Sequence, residues 1–469
     1  MRVEKDTFGE VDIPDSSLYG INSIRSVNNF PNSGERVNPY LIKAYLQVKQ
    51  AAAETNYKCG ILFKEKFDAI YEAIKELIAE TDSAIETGSL EIFSKIIIDP
   101  YQGGAGTSFN MNINEVIANT ALLILGKPPG DYNSIHPLDD VNMSQSTNDT
   151  FPTALKIASI YLLRQLSEAI SVLQNSLQKK EEEFKNILKL GRTQLQDAVP
   201  ITLGQEFGAY AQAIARDRWR IYNSEERLRS VNLGGTAVGN SISAPREYVL
   251  NVTSVLKKIT KLPIAKSEDL IDATQNLDMF VEVHGIVKAL AVTLIKICND
   301  LRFLSSGPSG GIGEINLPPK QAGSTIMPGK VNPVILENTI QLCELVKGHD
   351  IIIANLVSNG NLELNPFIPM IGHLFLKSIS LLKECTLNLG NNCIDGITAN
   401  EEKCKLNLMN SSAIAASLIS NFGYDTIQEI VNYAYKNKIP FVNALMKSKL
   451  LSENEMYNLI SKELGIKIE

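Results

Sequence analysis

The stretch Pro152-Thr-Ala-Leu-Lys-Ile-Ala-Ser-Ile-Tyr-Leu-Leu-Arg-Gln-Leu-Ser-Glu-Ala-Ile-Ser-Val-Leu-Gln-Asn-Ser-Leu177 decides the fold. Leu155, Ala158, Leu162, Leu166, Ile170, Leu173 and Leu177 recur every three or four residues, and 47 proline-free residues separate Pro152 from Pro200. This spacing predicts one amphipathic helix, roughly 50 Å long at 1.5 Å per residue. A second helical pattern runs from Ile201 to about Val231, with Phe207, Tyr210, Ala211, Ile214 and Trp219 in similar rhythm. Three more cover Asp269 to Ser306, Pro333 to about Val357, and about Ile371 to Leu389. Helices of this length exceed the usual globular range, and five in succession predict an elongated bundle.

Working outward, residues 1–140 carry shorter helical patterns (Asn38 to Lys58, Glu65 to Thr87) and turn-rich joints such as Asp99-Pro-Tyr-Gln-Gly-Gly-Ala-Gly106. Beyond Gly396 the helices shorten again, as in Tyr424 to Lys438. The expectation is an all-α chain of three domains: an N-terminal cap (1–140), a central long-helix bundle (141–395) and a small C-terminal helical domain (396–469). Strand signals are sparse. At 469 residues, with 44% hydrophobic and 21% charged, the composition is ordinary for a globular protein and excludes disordered or fibrous classes. A net charge of −7 argues against nucleic acid or an anionic membrane as partner. No uncharged apolar run reaches 18 residues, so no membrane span is expected. The charged start, Met1-Arg-Val-Glu-Lys5, lacks an apolar signal core. The six cysteines form no C-x-x-C pair and most sit in apolar helical patterns, which predicts reduced, buried thiols in a cytoplasmic protein.

The usual catalytic vocabulary is thin. The four histidines, His136, His284, His349 and His373, make no metal-ligand spacing, and no nucleophile elbow or convincing triad can be assembled. Gly323-Ser-Thr-Ile-Met-Pro-Gly-Lys330 has one residue too many between its glycines for a phosphate loop, and Val331 follows the lysine. Neither metal nor cofactor is expected. What stands out is a repeated polar construction at helix starts. Ser306 to Lys330 holds six glycines and four prolines in 25 residues, a long irregular loop of the kind that carries function. It runs into Asn332-Pro333, a good cap and first-turn pair, which places Lys330 near a helix N-terminus. Ser146-Thr147-Asn148-Asp149 precedes the first long helix, Thr193-Gln194 precedes the second, and Gly106-Thr107-Ser108 opens another. Hydroxyls, amides and one lysine at helix starts suit a small dicarboxylate. With no suitable histidine, Ser324 is the candidate proton acceptor, its ionised form favoured by nearby loop amides and Lys330.

Gly323-Ser-Thr-Ile-Met-Pro-Gly-Lys-Val-Asn-Pro333, with Glu337 after it, resembles the signature loop of the aspartase/fumarase superfamily. Gln102-Gly-Gly-Ala-Gly-Thr-Ser108, Asn142-Met-Ser-Gln-Ser-Thr-Asn-Asp149 and Gly191-Arg-Thr-Gln-Leu-Gln-Asp-Ala-Val-Pro200 are similar to its other site segments. The resemblance covers essentially the whole chain. It implies a homotetramer whose central bundle forms the core, with sites shared between subunits and no cofactor. It also implies a reversible anti elimination that releases fumarate or a related alkene. By the same resemblance Ser324 removes the Cβ proton, and Thr107, Ser146, Thr147 and Thr325 stabilise the aci-carboxylate. Lys330, Asn332 and Thr193 hold the other carboxylate, Asn148 and Gln194 face the leaving group, and Glu337 supports the site. The loop around Ser324 closes as a lid.

Within the superfamily, Gln194 stands where fumarases usually carry histidine, and Tyr101-Gln-Gly-Gly-Ala-Gly-Thr107 and Ala198-Val-Pro-Ile201 look like aspartases. The expected reaction is therefore loss of ammonia from L-aspartate. Departures at Gly239-Asn-Ser-Ile-Ser243, Ser309, Ser358-Asn-Gly-Asn361 and Leu138-Asp139-Asp140 leave two other readings open. One is another lyase of the superfamily, acting on a hydroxy acid or a different amino acid. The second is a non-catalytic relative.

Overall fold

The structure is a computed structural model that describes residues 1–465; the last four residues of the expected C-terminal domain lie outside the described residues. The fold is all-α, with long helices and four two-stranded sheets of short strands. The helix expected from Pro152 runs from Thr147 to Glu183, and the seven residues of its predicted stripe are each at most 1% exposed. Burying each such aliphatic side chain contributes about 2 kcal/mol, which makes this stripe the chief reason the helix is stable. Pro152 lies within the helix and cannot donate to the Asn148 carbonyl one turn back. That carbonyl is satisfied instead by the Asn232 side-chain amide at 3.0 Å.

The other long helices are Leu203–Ser224, Asp278–Leu304, Val334–Ser358 and Ile368–Asn392. The second and third end or start up to nine residues inside the expected limits. Asp269 to Leu277 holds only a one-turn helix, Asp272–Gln275. Between the first two helices the chain forms an antiparallel hairpin, Leu188–Thr193 with Gln196–Thr202, where no strand is expected from the sequence. A second unforeseen hairpin, Arg2–Asp6 with Gly9–Ile13, opens the chain.

Two compact units emerge, each assembled from three separate stretches. The first comprises residues 1–166, 220–288 and 346–381. In it Pro39–Lys58 packs on Lys64–Thr87 and on Arg246–Thr260, and Thr107–Ile124 packs on Lys64–Thr87. Asn38 caps the Pro39 helix by accepting the Tyr40 N–H at 3.0 Å, and Gly88, at φ 75°, ends the Lys64 helix. The second unit comprises 167–219, 289–345 and 382 onward. Its five C-terminal helices, from Glu401–Asn410 to Glu453–Glu463, share an apolar core with Leu188 and Leu190 of the hairpin. No helix among the described residues is long and apolar enough to cross a membrane.

Candidate active site

Thr107, Ser146, Thr147 and Asn148 belong to the first unit, and the structure brings them together. Gly104, Ala105 and Gly106 take φ of 79°, 55° and 89°, turning the chain sharply into the Thr107–Ile124 helix. The turn lies so close to the Thr147 helix that a Cβ on Gly106 would sit 2.4 Å from the Phe151 ring. Asn110, one turn beyond Thr107, donates to the Thr147 hydroxyl at 3.0 Å. Two helix N-termini therefore converge, one presenting the exposed Thr107 and the other the half-buried Ser146 and Asn148. The paired helix dipoles favour an anion such as a carboxylate, and in this structure the Thr107 hydroxyl donates to Gly104 O at 2.8 Å while the Asn148 N–H donates to Ser146 Oγ at 3.2 Å.

A buried polar layer fixes this corner. Lys49, 1% exposed, donates to Asn142 Oδ1 and Gln145 Oε1, both at 2.9 Å. Asn142 Oδ1 also accepts from the amides of Asn110 and Asn114. Burial lowers the Lys49 ammonium to about 7 against the pull of Asp149. Asp149, to which the sequence reading assigned no role, is fully buried and binds three backbone N–H groups, of Ser146, Gly234 and Thr236. Burial raises its carboxyl to about 6, opposed by those donors and by Lys49. The Asn148 amide donates to Ala237 O at 2.7 Å, and the Thr236 hydroxyl donates to Ile242 O. The departure at 239–243 thus lies immediately behind Asn148.

Thr193, Gln194, Ser324, Thr325, Lys330, Asn332 and Glu337 belong to the second unit. Gln194 and Leu195 form the two-residue hairpin turn with φ of 54° and 62°. Both central residues are left-handed, the geometry of turns that usually carry Asn-Gly, so surrounding structure must hold it. The signature loop closes on itself: Gly323 N–H donates to Lys330 O at 2.8 Å, and the Asn332 amide donates to Gly323 O at 2.6 Å. A Cβ at Gly323 would lie 2.4 Å from Lys330 O, so only glycine fits. The Asn332 amide thereby ties the loop to the start of the Val334–Ser358 helix. Ser324 Oγ accepts the N–H groups of Ile326 and Met327 at 3.2 and 2.9 Å. Two donors on that oxygen stabilise negative charge there, as a serine base requires. A concavity of about 540 Å³ is lined by Ser324, Lys330 and the loop between them. Glu337 sits half-buried in the first turn of Val334–Ser358.

The histidines are placed away from these residues in bonding. His284, Asp350 and Ser378 do assemble a triad-like chain that sequence spacing did not reveal, with Nδ1 3.0 Å from Asp350 and Nε2 2.9 Å from Ser378. Ser378 is 0% exposed and its hydroxyl donates to Leu374 O, so no substrate reaches it. His373 contacts Glu35 at 2.7 Å. Among the described residues no group of three or more His, Cys, Asp or Glu is placed to hold a metal.

The family model described as Lyase matches residues 9–348. The chain is 42% identical over 461 residues to an aspartate ammonia-lyase of Bacillus, covering 98% of this chain and 96% of the relative. A fumarate lyase:delta crystallin of Brucella melitensis is 43% identical, with a TM-score of 0.91 over 99% of both chains. The recombinant class II fumarase of Schistosoma mansoni is 28% identical, with a TM-score of 0.88 over 98% of both. The signature loop, the paired helix starts and these full-length likenesses agree, and the chain belongs to this lyase family, on the aspartase-like side of the aspartase/fumarase superfamily.

Proposed function

We propose that this chain is an L-aspartate ammonia-lyase, a carbon–nitrogen lyase that interconverts L-aspartate with fumarate and ammonia by anti elimination. The single observation that carries the reading is the nearly full-length identity to aspartate ammonia-lyases, 42% in the Bacillus relative. Ser324, in its ionised form, takes the Cβ proton; the C–H pair passes into the adjacent carboxylate as an aci-carboxylate. Thr107, Ser146, Thr147 and Thr325 donate hydrogen bonds to that developing charge. The pair then returns to form the Cα–Cβ double bond, and ammonia leaves with the C–N pair. Lys330, Asn332 and Thr193 hold the second carboxylate, Asn148 and Gln194 face the amine, and Glu337 supports the helix start beneath Lys330. Convergent helix N-termini at Thr107 and Thr147, and the two N–H donors on Ser324 Oγ, support these roles.

In this reading the 1–140, 141–395 and 396–469 segments act as three domains of a homotetramer that shares its sites between subunits. It works in the cytoplasm, which six unpaired cysteines, five of them buried, support. The test follows fumarate by its ultraviolet absorbance with L-aspartate, L-malate, or fumarate plus ammonium supplied. Fumarate from aspartate and not from malate is the expected result. Fumarate from malate alone makes the chain a hydratase, and signal from neither overturns the reading.

A further inference from the structure

We propose that Glu314 is a positioning residue for the elimination site, its buried carboxylate holding Arg192, and through it the Thr193–Gln194 turn, against the root of the loop that carries Ser324 and Lys330. The inference rests on the roles assigned above to Thr193 and Gln194. Glu314 is 0% exposed, yet four donor contacts from three side chains converge on it. Arg192 binds it through both terminal nitrogens, Nη1 to Oε2 at 3.0 Å and Nη2 to Oε1 at 2.7 Å. Lys189, on the same strand, lies 3.2 Å from Oε2, and the Asn407 amide donates to Oε1 at 3.0 Å. Lys189 in turn reaches Glu206 at 2.9 Å. Burial opposes the charge on Glu314, and Arg192 and Lys189 outweigh it, holding the carboxyl below its ordinary range.

The side chain is not required to hold its own backbone. Glu314 N–H donates to Leu304 O and its carbonyl accepts the Asn400 N–H, both at 2.9 Å. Ile315 and Asn316 continue into a short antiparallel pairing with Thr398 and Ala399. That leaves the carboxylate free to restrain something else, and a bidentate arginine fixes orientation as well as distance. Arg192 follows a register shift at Gly191, where a Cβ would meet Val199 O at 2.4 Å, and immediately precedes the turn. A turn of two left-handed non-glycine residues relaxes unless its flanks are clamped. Lys189 links the base of the hairpin to the same carboxylate, and the Ser411 hydroxyl donates to Asp197 on the opposite flank of the turn; a carboxylate 122 positions from its arginine is a connection only folding makes.

The experiment measures hydrogen exchange at the amides of 192–197 in the full-length protein and in Glu314→Gln. Protection is expected to fall at the turn, with the long helices unchanged. Unaltered protection there overturns the inference, whatever the enzyme acts on. Because the substitution leaves two cations facing a neutral amide and can prevent folding, Arg192→Lys, which keeps the charge and loses the fork, is the second variant, with the same expectation. Kinetics then separate positioning from general loosening. Glu314→Gln is expected to lower kcat/KM about tenfold in the parent and by less than about threefold where Thr193 and Gln194 are already alanine. Equal losses in both backgrounds also overturn it. A parent enzyme inactive on aspartate would sink the proposed function, while the exchange result would still decide the role of Glu314.

Discussion

Replacing Asp149 with alanine is expected to cost about 3 kcal/mol of stability and to reduce turnover with it. The two carboxylate oxygens accept three N–H groups, of Ser146 at 3.0 Å, Gly234 at 3.0 Å and Thr236 at 3.1 Å, in a fully buried position. Alanine strands all three donors; at about 2 kcal/mol for each, the gross loss is about 6 kcal/mol. Relief from burying the carboxylate offsets part of this. Even against those donors burial raises that group from 3.8 to about 6, so the relief is at least about 3 kcal/mol. The difference lowers the melting temperature by roughly 6–12 °C, taking the scaling for domains of a few hundred residues. The pH dependence supplies a second signature. Since the folded-state value lies above the unfolded one, the native state retains the proton between 3.8 and about 6. Stability from this group is therefore fully present below that interval and falls as pH rises through it. Thermal and urea unfolding at about pH 4 and about pH 7 would read both effects. Ser146 and Asn148 flank this carboxyl, so kcat/KM should fall with stability. A variant that melts within about 1 °C of the parent and keeps the parent's pH slope would refute the reasoning.

Ser324→Ala should keep the melting temperature and lose turnover by about 10²–10⁴-fold, the usual contribution of a general base; near-parental activity would remove Ser324 from that role. Gly106→Ala places a methyl group 2.4 Å from the Phe151 ring at a φ of 89°, so it should cost about 2–4 kcal/mol and displace Thr107, measurable by urea unfolding together with kcat/KM. Native alkylation followed by mass spectrometry should modify Cys59 before the other five cysteines. It is half-buried while they are at most 2% exposed, and burial pushes its thiol up, so labelling should be slow and should accelerate at alkaline pH. Early labelling of Cys298 or Cys343 would contradict the packing described above.

The long helices, and the hydroxyls, amides and lysine carried in continuous segments, were legible in the sequence. The 155–177 stripe predicted the 147–183 helix because helical periodicity is a local property and its apolar face needs a partner of any kind. The signature loop was legible because Gly323, Ser324, Lys330 and Asn332 lie within ten residues, and Gly323 bonds to both Lys330 and Asn332. The Thr107 and Ser146–Asn148 segments were legible as capped helix starts, each with its own glycine or hydroxyl signal. The hairpin at 188–202 escaped because Arg192, Thr193 and Gln194 give no alternation of apolar and polar residues, and its left-handed turn lacks Asn-Gly. Only the tertiary structure decided which charges meet. Asp149 reaches amides at 234 and 236, Arg192 reaches Glu314, and His284 joins Asp350 and Ser378. Each pair is separated by more than sixty residues and is strong because burial removes competing water. No local pattern encodes that removal, since it depends on which helices pack together; the sequence specifies the donors and acceptors, and the fold chooses their partners.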